Sequence, residues 1–218
     1  TTFDVMYGAD NVKQMEYIDL YSKHTVKDKV YDIRQNEQLR GKYWNHNFRT
    51  ALEYNFNEKN NISLAYTGSF TLNQHNNSLT TGNFQTSNID KYIDIRMHNV
   101  VLQYNSGFGF TGGGDYTHYV SDNDQNMSAK YQEGGQSSFA MIGGQKIDRY
   151  SIYADQKHSL SKGWNLGYGA SYRLVKERDF QTFSDVTGSI TPQNLYTNLQ
   201  EQTTDFYASL CKSFAVGL

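Results

Sequence analysis

Apolar and polar residues alternate along this chain over stretches much longer than a globular strand. From Tyr43 to Phe56, the side chains of Trp44, His46, Phe48, Thr50, Leu52, Tyr54 and Phe56 fall on one face. Asn45, Asn47, Arg49, Ala51, Glu53 and Asn55 fall on the other. A period of two marks a β-strand with one apolar and one wet face. At about 3.3 Å per residue this strand is long enough to cross a bilayer at a tilt, whereas ordinary strands run to about five or six residues. Asn57-Glu58-Lys59-Asn60 makes a tight turn. The alternation then resumes, with Ile62, Leu64, Tyr66, Gly68, Phe70 and Leu72 opposed to Ser63, Ala65, Thr67, Ser69 and Thr71. The two segments read as one long hairpin.

The cycle repeats along the chain. A strand from Tyr92 to Tyr104 ends in Val100, Leu102 and Tyr104 on one face, and Asn105-Ser106-Gly107 turns. Phe108, Phe110, Gly112, Gly114 and Tyr116 alternate after it. The next strand is expected from Ile147 to Leu160, a turn at Ser161-Lys162-Gly163, and a strand in which Trp164, Leu166, Tyr168, Ala170, Tyr172 and Leu174 share a face. A closing strand runs from Thr203 to Phe214, and Thr1 to Tyr7 also reads as a strand. Three polar stretches, Asn73–Lys91, Ser121–Gln145 and Glu177–Gln202, read as long loops because they exceed ordinary hairpin connections. Asn11–Lys42 is less regular. Met15–Ser22 and Lys29–Gln35 within it are extended and read as strands that rise beyond a membrane. Short turns at one end and long loops at the other match outer-membrane barrels. Tyr43, Trp44, Tyr104, Phe108 and Trp164 lie near strand ends, where interfacial aromatic girdles form.

Composition sharpens this picture. The hydrophobic fraction is 37% and the mean hydropathy −0.73, and no apolar run is long enough for a membrane-spanning helix. A barrel tolerates such numbers, since only every second strand residue faces lipid. Eighteen Tyr and twelve Phe argue against a disordered chain, and the single proline, Pro192, suits an extensive ladder that has few places for a missing N–H. The net charge of −2 carries no global nucleic-acid footprint. Cys211 is the only cysteine, which excludes an intrachain disulfide and a cysteine zinc cluster; it reads as inert packing.

The candidate chemistry is sparse. Asp122, Asp124, Asn126 and Glu133 have the spacing of a twelve-residue calcium loop, but Met127 stands where that loop needs glycine. Gly107-Phe108-Gly109-Phe110-Thr111-Gly112 fits a dinucleotide string but starts at a turn and continues as a strand, so it reads as barrel wall. The six histidines, His24, His46, His75, His98, His118 and His158, form no i, i+2 pair that would place two metal ligands on one strand face. There is no nucleophile elbow, so no catalytic residue and no cofactor is expected. Gln74-His75-Asn76-Asn77, Phe84 and Tyr131 are candidates for a ligand-binding mouth, and equally for ordinary polar loop.

Gln145 to Tyr172, QKIDRYSIYADQKHSLSKGWNLGYGASY, resembles the barrel wall of TonB-dependent outer-membrane receptors of Bacteroidota. Leu52-Glu53-Tyr54-Asn55-Phe56 with Lys59 to Leu64, and Gly113 to Tyr119, are similar to hairpins of the same family. Gln156 departs from a common tyrosine and Ser159 from a common proline. The resemblance covers most of Tyr43–Phe214 and carries no catalytic signature. It implies energy-coupled uptake of an unknown nutrient through a plugged barrel of about 22 strands. It implies contact with TonB only through a plug that these residues do not include.

The expectation is therefore an all-β fold: an antiparallel, up-and-down transmembrane β-barrel. Residues 1–218 would form a single segment of its wall, with roughly eight to ten strands, cut at both ends. It would lie in a bacterial outer membrane against lipid, with unpaired edges open to oligomerisation. Two alternatives stay open: a small self-standing structural or adhesive barrel of the outer membrane, and a soluble β-barrel binding module.

Overall fold

In the computed structural model, residues 1–26, 28–188 and 192–213 are described. They form one antiparallel, eight-stranded sheet whose strands follow one another in chain order. The strands are β1 (Thr2–Val26), β2 (Lys29–Asn57), β3 (Asn60–Gly82), β4 (Gln85–Asn105), β5 (Phe110–Tyr131), β6 (Gln136–Ser159), β7 (Trp164–Thr187) and β8 (Leu195–Lys212). A single 3₁₀ turn, Ser161–Gly163, joins β6 to β7. No helix among the described residues is long and apolar enough to cross a membrane, which leaves crossing by strands untouched.

The strands are 18 to 29 residues long, so a 24-residue strand extends for roughly 80 Å. This corrects the three expected loops. Asn73–Lys91 is the upper part of β3 and β4, joined by a turn at Asn83-Phe84. Ser121–Gln145 is the upper part of β5 and β6; within Glu177–Gln202, β7 continues to Thr187 and β8 begins at Leu195, and residues 189–191 lie outside the described ones. The irregular Asn11–Lys42 is likewise continuous ladder, from Asn11 opposite Trp44 to Val26 opposite Lys29. The physical reason is that a hairpin already started grows without new loop-closure entropy, and polar side chains are no obstacle where both faces meet water. At the lower turn, Phe108 lies in the bend and not in β5. Phe214 lies outside the described residues.

Apart from a register shift between Asn55 and Asn57 beside the β2–β3 turn, two bulges interrupt the alternation. Asn73 (φ 53°) is an extra residue in β3 relative to both neighbours, and its N–H donates to Asp94 Oδ1 at 2.7 Å. Asp185 (φ 52°) is the extra residue in β7 near its top. Each bulge shifts the phase of its strand by one, so the residues of β3 that share a face are even-numbered below Asn73 and odd-numbered above it.

The sheet is curved without a packed interior. On β6 from Ser151 to Asp155 and on β5 from Ser121 to Lys130, even-numbered residues are exposed and odd-numbered ones more covered, which makes the even face convex. Among the described residues only Ala129 and Met141 are buried apolar side chains. A closed eight-stranded barrel fills its interior with side chains. Here β1 and β8 are the two ends of the strand order, and no ladder joins them among the described residues.

Candidate functional site

The face that carries apolar side chains changes partway up the sheet. On the convex face, one ladder row runs Leu52, Leu64, Leu102, Gly114, Ile152 and Tyr172 across β2 to β7. The next rows add Tyr54, Ile62, Tyr104 and Phe206 on one side and Tyr66, Val100, Tyr116, Tyr150 and Leu174 on the other. These large side chains face solvent: Ile152 is 62% and Phe206 81% exposed. The concave face at the same level carries Glu53, Gln103, Asp115, Arg149, Ser151 and Arg173. Asp115 is paired there with Arg149 at 2.9 Å and accepts from Ser151, and the Tyr207 hydroxyl donates to Asp155 at 2.5 Å.

Above this band the polarity inverts, most plainly on β4. Its convex residues become Asn88, Asp90, Tyr92, Asp94 and Arg96, and its concave ones Ile89, Ile93, Ile95 and Met97. Tyr119 and Ile147 stand opposite Met97 in one concave row, and Phe139 and Phe183 meet edge to face higher up at 5.4 Å. On the neighbouring strands the upper concave face is mixed, with Ser121, Asn123 and Gln125 on β5, Gln145 on β6 and Glu177 and Asp179 on β7 beside these apolar side chains. Near the top of the sheet, a cavity of about 400 Å³ is lined by residues of both faces, Ser87, Ala129 and Ser137 with Leu79, Asn88 and Ser128 among them, and the Tyr131 hydroxyl lies 3.1 Å from Ser137 Oγ.

A belt of tyrosine and histidine marks the level of inversion. The Tyr7 hydroxyl lies 2.8 Å from His46 Nδ1, and Trp44 stacks on the same imidazole. The Tyr66 hydroxyl is 2.9 Å from His98 Nδ1. His98 stands directly opposite His118, whose Nδ1 is 2.7 Å from Asp148, and the Tyr116 hydroxyl donates to the same carboxylate at 2.8 Å. Tyr116 also stacks on Tyr150 at 4.8 Å. At the lower edge of the band lie Tyr54, Phe56, Tyr104, Phe108 and Trp164, the last covered by Lys212 at 5.3 Å.

The band is oblique to the ladder. Its upper edge is Trp44 on β2 and Leu174 on β7, and Leu174 traces back through Tyr150, Tyr116, Val100 and Tyr66 to Thr50. Six residues separate Trp44 from Thr50, over five strand steps. That is about 4 Å of offset for each 4.8 Å step, or a tilt of roughly 40°, inside the 35–45° at which strands of closed barrels lean. At that tilt the stretch from His46 to Phe56 gives the band a height of about 25 Å measured perpendicular to its edges.

The sequence-level candidates fare differently. Asp122, Asp124 and Asn126 lie in line on one face of β5, and Glu133 lies in the turn beyond it. Tyr131 alone is nine residues from Asp122, about 30 Å along an extended strand, so these residues form no calcium loop. No group of three metal-ligating side chains occurs among the described residues. Gly109 (φ 87°) bends the β4–β5 turn, and the glycines after it continue as strand. Cys211 is exposed on the edge strand β8 and is not packed. Phe84 and Tyr131 do meet, ring centroids 6.0 Å apart, at the top of the sheet. The tyrosine–histidine belt was not singled out from the sequence. Its members come from six strands, and only the register brings them together.

His75 belongs to the convex upper face. Its ring stacks flat on Tyr92 at 4.4 Å and its Nε2 is 2.5 Å from Asp90, whose carboxylate also accepts from Asn77. The hydrogen bond from His75 holds the Asp90 carboxyl below the ordinary carboxylate range. A carboxyl depressed in the folded state stabilises above its unfolded pKa and loses that contribution as pH falls through the folded value. The upper β3–β4 hairpin should therefore loosen below about pH 4. Amide hydrogen exchange across Asn77–Lys91 should show a loss of protection in acid that Asp90→Asn lacks.

No family model and no curated protein matches this sequence.

Proposed function

We propose that these residues form part of the wall of a TonB-dependent receptor in a bacterial outer membrane, which imports a nutrient. The observation that carries this reading is the inversion of facial polarity at the tyrosine–histidine belt. Apolar side chains exposed on the convex face over about 25 Å match the outward band of a transmembrane barrel, and aromatic residues flank it at both edges. Above the band the convex face turns mainly polar, with Asp90, Asp94 and Arg96 on β4 and Asp122, Asp124 and Asn126 on β5, which suits strands that rise into water. A soluble barrel would instead bury its apolar face throughout. The open, unpacked concave face favours a wall of wide radius over a small self-standing barrel. The import role rests on the QKIDRYSIYADQKHSLSKGW phrase at Gln145–Trp164.

The two tryptophans test the membrane level. Trp44 and Trp164 sit at opposite edges of the band. In vesicles, Trp44→Phe and Trp164→Phe variants should each leave one tryptophan that is quenched by lipid brominated near the headgroup more than by lipid brominated at the chain ends. A protein that is monodisperse without detergent, with neither tryptophan quenched, would sink the reading. For import, disrupting this reading frame and disrupting the energy-coupling system should produce one shared nutrient-dependent growth defect. Additive defects would remove the TonB assignment and leave the barrel.

A further inference from the structure

We infer that the convex face of β6 and β7, just above the apolar band, binds the phosphate of a lipid headgroup. This rests on the membrane reading and adds a specific site to it. Lys146 on β6 stands directly opposite Arg178 on β7, and Lys176 stands two residues below Arg178 on the same convex face. All three side chains are exposed. Lys176 and Arg178 have no carboxylate within ion-pair distance among the described residues. The anionic group of that face, Asp148, is the ladder partner of Lys176; it is engaged by His118 and the Tyr116 hydroxyl and forms a long ion pair with Lys146 at 4.0 Å. The β8 residues opposite Lys176 and Arg178 are Gln200 and Asn198, both neutral.

Position decides the ligand. Below the cations, Asp148 stands directly opposite Lys176 and separates Lys146 from Tyr150, while Leu174 follows Lys176 directly; Tyr150 and Leu174 are the top of the apolar band on these strands. Two to four residues of rise at a tilt of about 40° place the cations roughly 5–10 Å above the hydrocarbon boundary, at the depth of headgroup phosphates. A guanidinium supplies a planar fork for phosphate oxygens and the two ammonium groups supply point charges beside it. A soluble anion would meet the same groups without the apolar contact, whereas a lipid fills both. The chain thus offers a phosphate clamp with an acyl-chain surface directly beneath it.

The test uses the whole chain in detergent, with lipid retention read by native mass spectrometry. The probes are phosphatidic acid, phosphatidylcholine of matched chains, and inorganic phosphate. Phosphatidic acid should be retained well above phosphatidylcholine. The triple variant Lys146→Gln, Lys176→Gln, Arg178→Gln should lose that preference, with retention of phosphatidic acid falling roughly tenfold or more. Lys130→Gln is the control: it is a convex lysine of β5, fourteen residues beyond Tyr116, and it should change nothing. Unchanged retention in the triple variant, or an equal loss in the control, overturns the site. Displacement by millimolar inorganic phosphate would assign the site to a soluble anion and overturns the lipid proposal. Failure of the membrane reading looks different: no lipid of either kind would be retained, and the protein would need no detergent.

Discussion

If the proposed membrane reading holds, Leu102→Arg destabilises the protein in lipid vesicles by about 2–4 kcal/mol, while Gln103→Arg, the next residue, changes it by less than about 0.5 kcal/mol. The two positions share a strand and a neighbourhood and differ only in face. Leu102 is 46% exposed on the convex side, between Val100 and Tyr104 and flanked in its ladder row by Leu64 and Gly114. On the membrane reading a charge there meets hydrocarbon near the centre of the band. Gln103 points to the concave side, where Asp115 and Arg149 already hold charge in water. Urea unfolding of each variant in lipid vesicles measures the difference. Equal costs at the two positions would mean that neither face meets lipid.

The second large effect is expected at Gly109. Its φ of 87° lies in the left-handed region, and a Cβ there would stand 2.1 Å from the carbonyl oxygen of Lys157. That contact is with backbone fixed in place, because the Lys157 N–H donates to the Gly109 carbonyl at 2.9 Å. Gly109→Ala should therefore cost about 2–4 kcal/mol, from backbone strain of about 1–2 kcal/mol together with the displacement of β6 from the turn. Gly134 separates the two causes. It has a similar φ of 96° but open space around its Cβ position, so Gly134→Ala should cost only the strain. Comparable urea midpoints for the two alanine variants would show that the close approach to Lys157 is not retained in solution.

Both expectations depend on knowing which way a side chain faces, and the chain was only partly readable on that point. The convex band was legible wherever alternation ran unbroken, as in Tyr43–Phe56 and Trp164–Leu174, because a strand period of two maps sequence parity directly onto faces. It failed above Asn73, where one bulged residue reverses the parity of β3 and makes His75 and Leu72 neighbours on one face. In the sequence the polar upper strands read as loops for a related reason. On β4 the convex residues are polar and the apolar ones sit on the concave side, so Ile89, Ile93 and Ile95 do not extend the pattern set by Val100 and Leu102.

The weak calcium candidate shows what spacing alone leaves open. Asp122, Asp124, Asn126 and Glu133 share a spacing with a compact loop, but spacing fixes distance only once the backbone conformation is known. Continuous pairing of β5 with β4 and β6 pulls them out along the strand. The same pairing creates contacts that no local pattern announces. His98 and His118 are twenty residues apart and Asp148 thirty more, yet register sets them side by side across three strands.

By itself the sequence determined an all-β, antiparallel, up-and-down sheet, its lower turns, and the apolar face of each lower strand. These are local properties: period-two alternation, turn residues and the near absence of proline each act within a few positions. The tertiary structure alone decided the height of the wall, the level at which its polarity inverts, the tyrosine–histidine belt and the cations grouped above Tyr150 and Leu174. Those features arise between strands, from register and from the phase shifts at Asn73 and Asp185. A ladder is a long-range object, and the residues that meet across it are chosen by hydrogen-bonded pairing, which nothing in a single strand's pattern specifies.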